Sequence, residues 1–94
     1  MDKFTLTISP SAVRDLDRLD LKTANNVLDK AAVLEENPFP KGKLKKKIKG
    51  KRSTFYRLRA GKYRVFYCIE NKEVVILKII DKKDAEKFIK SLNR

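Results

Sequence analysis

The chain has 94 residues, 41% of them hydrophobic and 38% charged, which is enough apolar material for a single small domain, residues 1–94. Its net charge of +12 favours a polyanion or an acidic protein as partner, rather than a surface charged only for solubility. The sequence has no histidine, one cysteine (Cys68) and no signal peptide or long apolar run, so we expect a cytoplasmic protein with no disulfide, no zinc, no cofactor and no membrane partner.

The N-terminal segment predicts a strand and then a short helix. Phe4 to Ile8 alternates apolar residues with threonine, as a half-buried strand does. Ser9 is a favourable N-cap and Pro10 a favourable first helical residue. The expected apolar stripe of this helix is Val13, Leu16 and Leu19. The residues expected on its exposed side are Arg14, Asp15, Asp17 and Arg18.

A second helix is predicted to begin after Asp20, which is a suitable N-cap, and to reach about Glu35. Asn37-Pro38-Phe39-Pro40 should end it, because proline cannot continue a helix. Its expected buried stripe is Ala24, Val27, Leu28, Ala31 and Leu34. Two helices with so short a link form an αα-hairpin.

Residues 41–52 read KGKLKKKIKGKR and carry no acid. The spacing of Leu44 and Ile48 fits either a short turn of helix or a loop tethered at two points. A solvated loop whose charge has no function is the plain alternative. Packed like charges repel one another unless an anion compensates them, and this favours a polyanion-binding role for the segment.

The C-terminal half predicts three strands and a helix. The strands are residues 55–60, 63–69 and 74–80, joined by short turns. Asp81 is expected to cap a final helix, residues 83–92. The fold class is therefore α+β, with an N-terminal strand, an αα-hairpin, a three-stranded antiparallel meander and a C-terminal helix.

Strand alternation places Arg57 and Arg59 on one face of the predicted sheet, and Arg64 returns beside them after the turn. Phe55 or Phe66 would lie nearby as a stacking surface. Guanidinium groups pair with phosphate and rings stack on bases, so this face suits RNA. The alternative is that the rings belong to the core, and alternation alone does not decide which face the helices cover.

The stretch YRLRAGKYRVFY, the basic run before it and the ending IIDKKDAEKF resemble the RelE/ParE superfamily of toxins from type II toxin–antitoxin modules. The resemblance covers nearly the whole chain and is closest to the RelE-like branch. Its most specific part is the pattern carried by Arg57, Arg59, Gly61, Tyr63, Arg64, Val65 and Tyr67.

The resemblance implies a metal-independent endoribonuclease that cuts mRNA, usually at the ribosome, through attack of the substrate 2′-hydroxyl on the adjacent phosphate. It also implies neutralisation by a cognate antitoxin with an acidic or amphipathic segment. The implied catalytic residues are Arg57, Arg64 and Lys83. The expected RNA- or phosphate-binding residues are Lys45, Lys46, Lys47, Lys49, Lys51, Arg52, Arg59 and Lys82.

The chain departs from the family pattern near its C-terminus, where many members carry Tyr or His. Glu86 and Phe88 stand in that region, so the candidate base is Glu86 or a lysine with a lowered pKa, and Phe88 is a candidate stacking residue. Two alternatives therefore stay open. One is a ParE-like inhibitor of DNA gyrase without nuclease chemistry, and the other is a non-catalytic RNA-binding module of the same fold.

Overall fold

The computed structural model describes residues 3–50 and 53–92. The N-terminal elements are β1 (Thr5–Ile8), α1 (Pro10–Asp17), α2 (Leu21–Ala31) and a 3₁₀ turn (Ala32–Glu35). The remaining elements are β2 (Lys45–Lys49), β3 (Thr54–Ala60), β4 (Tyr63–Glu70), β5 (Glu73–Asp81) and α3 (Lys82–Leu92). The predicted α+β class is confirmed. Within the described residues, none of the helices has the length and apolar character that crossing a bilayer requires.

The strands form one five-stranded sheet in the order β1-β5-β4-β3-β2. The predicted meander is confirmed as β3, β4 and β5, which pair antiparallel in sequence order. β1 pairs parallel with β5, from Thr5 opposite Glu73 to Ile8 opposite Ile76. The αα-hairpin follows β1 in sequence and precedes β2, so it carries the chain from one edge of the sheet to the opposite edge.

The basic run is a strand, so the prediction of a helical turn or a loop was wrong for residues 45–49. β2 pairs antiparallel with β3, from Lys45 opposite Leu58 to Lys49 opposite Thr54. A run of lysines interrupted by Ile48 shows no apolar alternation. The strand instead arises from pairing, because the edge of β3 offers its backbone N–H and C=O groups to whatever segment lies beside it.

The main core lies between the sheet and the αα-hairpin. The sheet contributes Leu58, Val65, Tyr67, Val74 and Ile76, and the helices contribute Ala12, Val27, Ala31 and Leu34. On the opposite face α3 covers part of β4, where the rings of Phe66 and Phe88 lie 4.9 Å apart. Helices thus cover both faces, and the arginine face is the one that α3 covers only in part.

The buried side of α1 differs from the prediction. Asp15, expected in solvent, is 7% exposed, and Val13, expected in the core, is 44% exposed. The Asp15 carboxylate accepts hydrogen bonds from the Ile79 backbone N–H at 2.9 Å and from Lys78 Nζ at 3.0 Å. β1 ends opposite Ile76, so Asp15 supplies an acceptor where β5 has lost its neighbouring strand.

The remaining helix predictions hold. The Ser9 hydroxyl accepts from Ala12 N, and Asp20 Oδ1 accepts from Thr23 N at 2.7 Å. The predicted stripe of the second helix is buried, with Leu28 half-buried. Its last turn, to Glu35, tightens into the 3₁₀ form.

Candidate nucleic-acid interface

Four cations share one face of the sheet because of the strand register. Arg59 lies opposite Arg64 across β3 and β4, and Lys46 lies opposite Arg57 across β2 and β3. Directly opposed residues point to the same face, and so do residues two apart on one strand. The structure therefore brings together the predicted residues Arg57, Arg59 and Arg64 and adds Lys46 from the basic strand.

Arg57 is a half-buried cation in a fixed position. Its Nη2 donates to the Lys43 carbonyl at 2.9 Å, while its Nε is buried and has no hydrogen-bond partner within the described residues. Burial lowers the pKa of the Arg57 guanidinium, and the nearby positive charges of Arg59 and Arg64 lower it further. The guanidinium nevertheless stays charged at neutral pH, and a bound anion would relieve both effects.

Arg64 is held by the turn that precedes it. Its Nη1 donates to the carbonyls of Gly61 and Tyr63, each at 2.9 Å. Gly61 has a φ of +64°, which a residue with a side chain adopts only with strain. These two bonds leave Nη2 and Nε unused by the turn. Arg64 can therefore serve as a phosphate clamp whose orientation is set before ligand arrives.

A cleft of about 260 Å³ lies between β2, β3 and α3. Its lining residues are Lys46, Lys47, Ile48, Arg57, Glu86 and Ile89. The packing of Phe88 on Phe66 fixes α3 above the sheet, and this places Glu86 beside the cations. A carboxylate next to a guanidinium is the minimum arrangement that could move a proton at a phosphodiester.

Lys45 does not join the cations of this face. It lies opposite Leu58 and is 4% exposed, and its Nζ donates to the Asn37 carbonyl at 2.6 Å. Lys47 and Lys49 are exposed, and Lys47 also lines the cleft. Lys51 and Arg52 lie outside the described residues. Within residues 45–49, alternation thus divides the predicted phosphate ligands between two faces.

The first turn of α3 carries Lys82 and Lys83, both exposed and both outside the lining of the cleft. Asp81 Oδ1 accepts from Lys83 N at 3.0 Å, so the predicted cap is present, although the helix begins at Lys82. The Lys82 N–H donates to the Lys62 carbonyl at 2.8 Å. Any role of Lys83 at a phosphate therefore requires a ligand that extends beyond the cleft.

The aromatic residues of the region are mostly packing. Phe66 is fully buried, and Phe88 is half-buried against it. Phe55 is half-buried, with its ring lying so close to Gly50 that a Cβ there would meet it at 2.6 Å. Phe55 is therefore the less buried of the two candidate stacking residues of the sheet, and Phe66 retains no exposed ring surface.

Sequence analysis missed the contribution of Lys43, Ile48 and Ile89. Lys43 contributes its backbone carbonyl, which accepts from Arg57. A pattern of side chains does not predict a backbone contact of this kind. Ile48 faces the arginine side because it lies opposite Phe55. Reading residues 45–49 as a strand beside β3 would have found it.

Another cleft, of about 550 Å³, lies between α2 and the β3–β4 turn. Its charged lining residues are Asp29, Lys30 and Lys62. The smaller cleft beside Arg57 carries more net positive charge, because Lys46, Lys47 and Arg57 there outnumber the single acid Glu86.

Comparison with known proteins agrees with this architecture. Residues 6–90 match the family model of the ParE toxin of the type II toxin–antitoxin system parDE. A search of curated protein sequences gives no match. A chain of the archaeal RelE–RelB complex from Pyrococcus horikoshii OT3 is similar, with 29% identity, 87% of this chain and 97% of that chain covered, and a TM-score of 0.71.

A chain of the toxin–antitoxin complex RelBE2 from Mycobacterium tuberculosis is similar as well, with 26% identity, 84% and 98% of the two chains covered, and a TM-score of 0.73. The YoeB dimer of Staphylococcus aureus shares the fold at 20% identity, with 82% and 94% covered and a TM-score of 0.64. The family model spans most of the chain, so the protein belongs to the RelE/ParE superfamily of toxins of type II toxin–antitoxin systems.

Proposed function

We propose that this toxin is a metal-independent endoribonuclease that cleaves mRNA at the ribosome. The observation that carries the proposal is the cleft in which Arg57, Lys46 and Glu86 meet. A cation fixed by the Lys43 carbonyl lies beside a second cation and a carboxylate. This arrangement suits a phosphodiester, because fixed cations stabilise the charge that develops on phosphorus.

In the proposed reaction the 2′-hydroxyl of the RNA attacks the adjacent phosphate. Glu86 accepts the hydroxyl proton, and Arg57 and Arg64 stabilise the negative charge of the phosphorane-like transition state. The bond from phosphorus to the 5′-oxygen breaks, the leaving oxygen takes a proton from a water molecule, and Glu86 later releases its proton to the solvent. The products are a 2′,3′-cyclic phosphate on the upstream fragment and a 5′-hydroxyl on the downstream fragment. Lys46, opposite Arg57, adds positive charge where the substrate phosphate lies.

A cognate antitoxin is the second partner in this proposal. The similar chains from Pyrococcus horikoshii and Mycobacterium tuberculosis come from toxin–antitoxin complexes. The net charge of +12 favours an antitoxin with an acidic segment. Such a segment would neutralise the toxin by covering the arginine face that otherwise binds RNA.

A ParE-like inhibitor of DNA gyrase is the second candidate function, and the matching family model favours it. The absence of histidine from the sequence also leaves the enzyme without the most common catalytic base. A third possibility is a non-catalytic RNA-binding module of the same fold. The position of Glu86 in the cleft favours the nuclease over both.

Primer extension on transcripts after brief induction of the toxin separates these functions. The nuclease predicts new 5′ ends within coding regions at defined codon positions, together with unchanged plasmid supercoiling. Intact transcripts with inhibited supercoiling would contradict the nuclease and support gyrase inhibition. Intact transcripts with normal supercoiling and retained RNA binding would identify the non-catalytic module.

A further inference from the structure

Lys45 is a lysine whose side chain is largely removed from solvent and whose ammonium is part-buried. It is 4% exposed, while Lys43, Lys46, Lys47 and Lys49 around it are exposed. Its Nζ donates to the Asn37 carbonyl at 2.6 Å, across the loop that follows the 3₁₀ turn. Burial lowers the pKa of the Lys45 ammonium, and the nearby charge of Lys41 lowers it further. Removing an ammonium from water costs free energy unless a contact compensates it, and the bond to the Asn37 carbonyl is such a contact.

The loop that receives Lys45 is itself tied to the sheet. The Tyr67 hydroxyl, buried in the centre of β4, donates to the Pro38 carbonyl at 2.6 Å. Two successive loop carbonyls, of Asn37 and Pro38, thus accept from two different strands. The loop carbonyl that accepts from Lys45 is therefore held in place, and the Lys45 side chain connects β2 to this loop.

From Lys45, a short chain of backbone contacts leads to the arginine cleft. Lys41 and Lys45 exchange backbone hydrogen bonds of 3.1 and 3.4 Å, which close a turn with Gly42 at a φ of +54°. Inside that turn lies Lys43, whose carbonyl accepts from Arg57 Nη2 at 2.9 Å. The position of this turn thus sets the position of the Lys43 carbonyl, which accepts the hydrogen bond from Arg57.

The register of β2 depends on the same anchor. With Lys45 opposite Leu58 on the core side, Lys46 falls opposite Arg57 on the other face. A slip of one residue would move every side chain of the strand to the opposite face. Lysines occupy most of β2, so the apolar pattern of the strand specifies its register only weakly. A buried polar contact therefore has a larger effect on the register.

We propose that Lys45 is a positioning residue of the arginine cleft. Its contact with the Asn37 carbonyl fixes the register of β2, and this holds Lys46 and the Lys43 carbonyl beside Arg57. The consequence for RNA cleavage rests on the proposed nuclease function, whereas the effect on register does not.

Hydrogen exchange of Lys45→Met tests the register independently of activity. The substitution keeps an unbranched side chain, one heavy atom shorter, and removes the donor. We expect the β2 amides that are hydrogen-bonded to β3 to exchange at least about 10-fold faster, as local opening of an edge strand becomes easier, while β4 and β5 amides keep their rates. Unchanged rates in β2 would overturn the proposal, whether or not the protein cleaves RNA.

Lys78→Met is the matched control. Lys78 is also part-buried with an engaged ammonium, which bonds Asp15, but it lies on β5 far from β2 in the sheet. We expect it to lower the free energy of unfolding without accelerating exchange in β2 selectively. Equal acceleration in both variants would mean that Lys45 contributes only general stability, and would overturn the proposal.

Single-turnover RNA cleavage by folded protein measures the effect on the cleft. Lys45→Met should lower the maximal rate about 10- to 100-fold, as small misplacements of catalytic groups do, with a much smaller change in KM. In an Arg57→Ala background it should change the rate little further, because both substitutions act through Arg57. Full additivity would show that Lys45 does not act through Arg57. If the wild-type protein cleaves no RNA, the proposed function fails, and hydrogen exchange alone decides the register.

Discussion

Three charged residues make backbone contacts that organise this molecule. Asp15 accepts from the Ile79 N–H, Lys45 donates to the Asn37 carbonyl and Arg57 donates to the Lys43 carbonyl. Each contact joins segments distant in sequence or anchors a functional group. In a chain that is 38% charged, these inward-facing side chains differ from the rest, because most charged residues of a small domain remain in solvent.

Asp15→Ala should destabilise the fold strongly. It leaves the buried Ile79 N–H and the part-buried Lys78 ammonium without their shared partner. Breaking such a pair by removing one member costs about 3 kcal/mol. Urea unfolding followed by circular dichroism measures the change.

The matched control for that substitution is Asp17→Ala, on the exposed side of the same helix. It should change the free energy of unfolding by less than about 0.5 kcal/mol. Equal effects of the two substitutions would mean that the Asp15 contacts contribute nothing specific.

Arg57→Ala should lower the rate of RNA cleavage by about 10²-fold or more, because it removes a fixed cation from the developing charge. Single-turnover cleavage of an mRNA on the ribosome measures the rate. The exposed Arg14 of α1 provides the control, since Arg14→Ala removes the same charge far from the cleft. A folded Arg57→Ala protein with the wild-type rate would refute the assignment.

At the residue scale, the sequence predicted the arginine face and missed Asp15. Arg57 and Arg59 are two apart, and strand alternation alone puts them together. Helical periodicity favoured Val13 for the core because it is apolar, yet the buried positions of α1 are Ala12 and Asp15. The Asp15 carboxylate accepts from the Ile79 N–H at the place where β1 no longer pairs with β5. This contact is long-range, so the local sequence pattern of α1 does not predict it.

At the scale of elements, the helix caps and the meander were predictable and β2 was not. Ser9, Asp20 and Asp81 signal helix starts through local hydrogen bonds that their own side chains accept. β3, β4 and β5 carry β-branched and aromatic residues. β2 is mostly lysine, and its strand conformation depends on a neighbour that lies several residues further along the chain.

The cap of α2 predicts a pH dependence. Hydrogen bonds from Thr23 lower the pKa of Asp20 below its ordinary 3.8. The stabilisation by ionised Asp20 is thus fully present above about pH 4 and is lost as the pH falls through the lower folded value. Asp20→Asn keeps an acceptor for the Thr23 N–H but does not titrate.

Urea unfolding of the wild-type protein and of Asp20→Asn, between pH 2 and pH 6, tests this dependence. This window spans the ordinary pKa values of carboxyl groups. We expect the advantage of the wild-type protein over Asp20→Asn to shrink as the pH falls below about 4. A difference that stays constant over the range would show that the Asp20 charge plays no part in the cap.

At the scale of the whole molecule, a net charge of +12 includes a group of cations on one face of the sheet, which we propose as the binding surface. α3 covers that face only in part, and Lys46 of β2 and Arg57 of β3 line the cleft. The total charge predicted a polyanion or acidic partner but not a position for it. Strand order and the position of α3 give the proposed position, and both depend on tertiary pairing.

Binding to single-stranded RNA should weaken steeply with salt, because each neutralised phosphate releases counterions. Replacing Lys46 and Lys47, which both line the cleft, by glutamate should weaken binding at low salt and flatten the plot of log K against log salt, by about 0.7 per lost contact. Replacing the exposed Lys22 and Lys30 of α2 by glutamate changes the net charge equally. Identical slopes for the two double variants would show that the basic strand contributes only through net charge.

The chemical ends of the cleaved RNA test the central claim most directly. Purified toxin is incubated with ribosomes programmed with a defined mRNA, and the fragments are analysed by mass spectrometry. Attack by the 2′-hydroxyl predicts a 2′,3′-cyclic phosphate upstream and a 5′-hydroxyl downstream, both absent with Arg57→Ala. Fragments ending in a 3′-hydroxyl and a 5′-phosphate, or an mRNA that stays intact while gyrase is inhibited, would contradict the account.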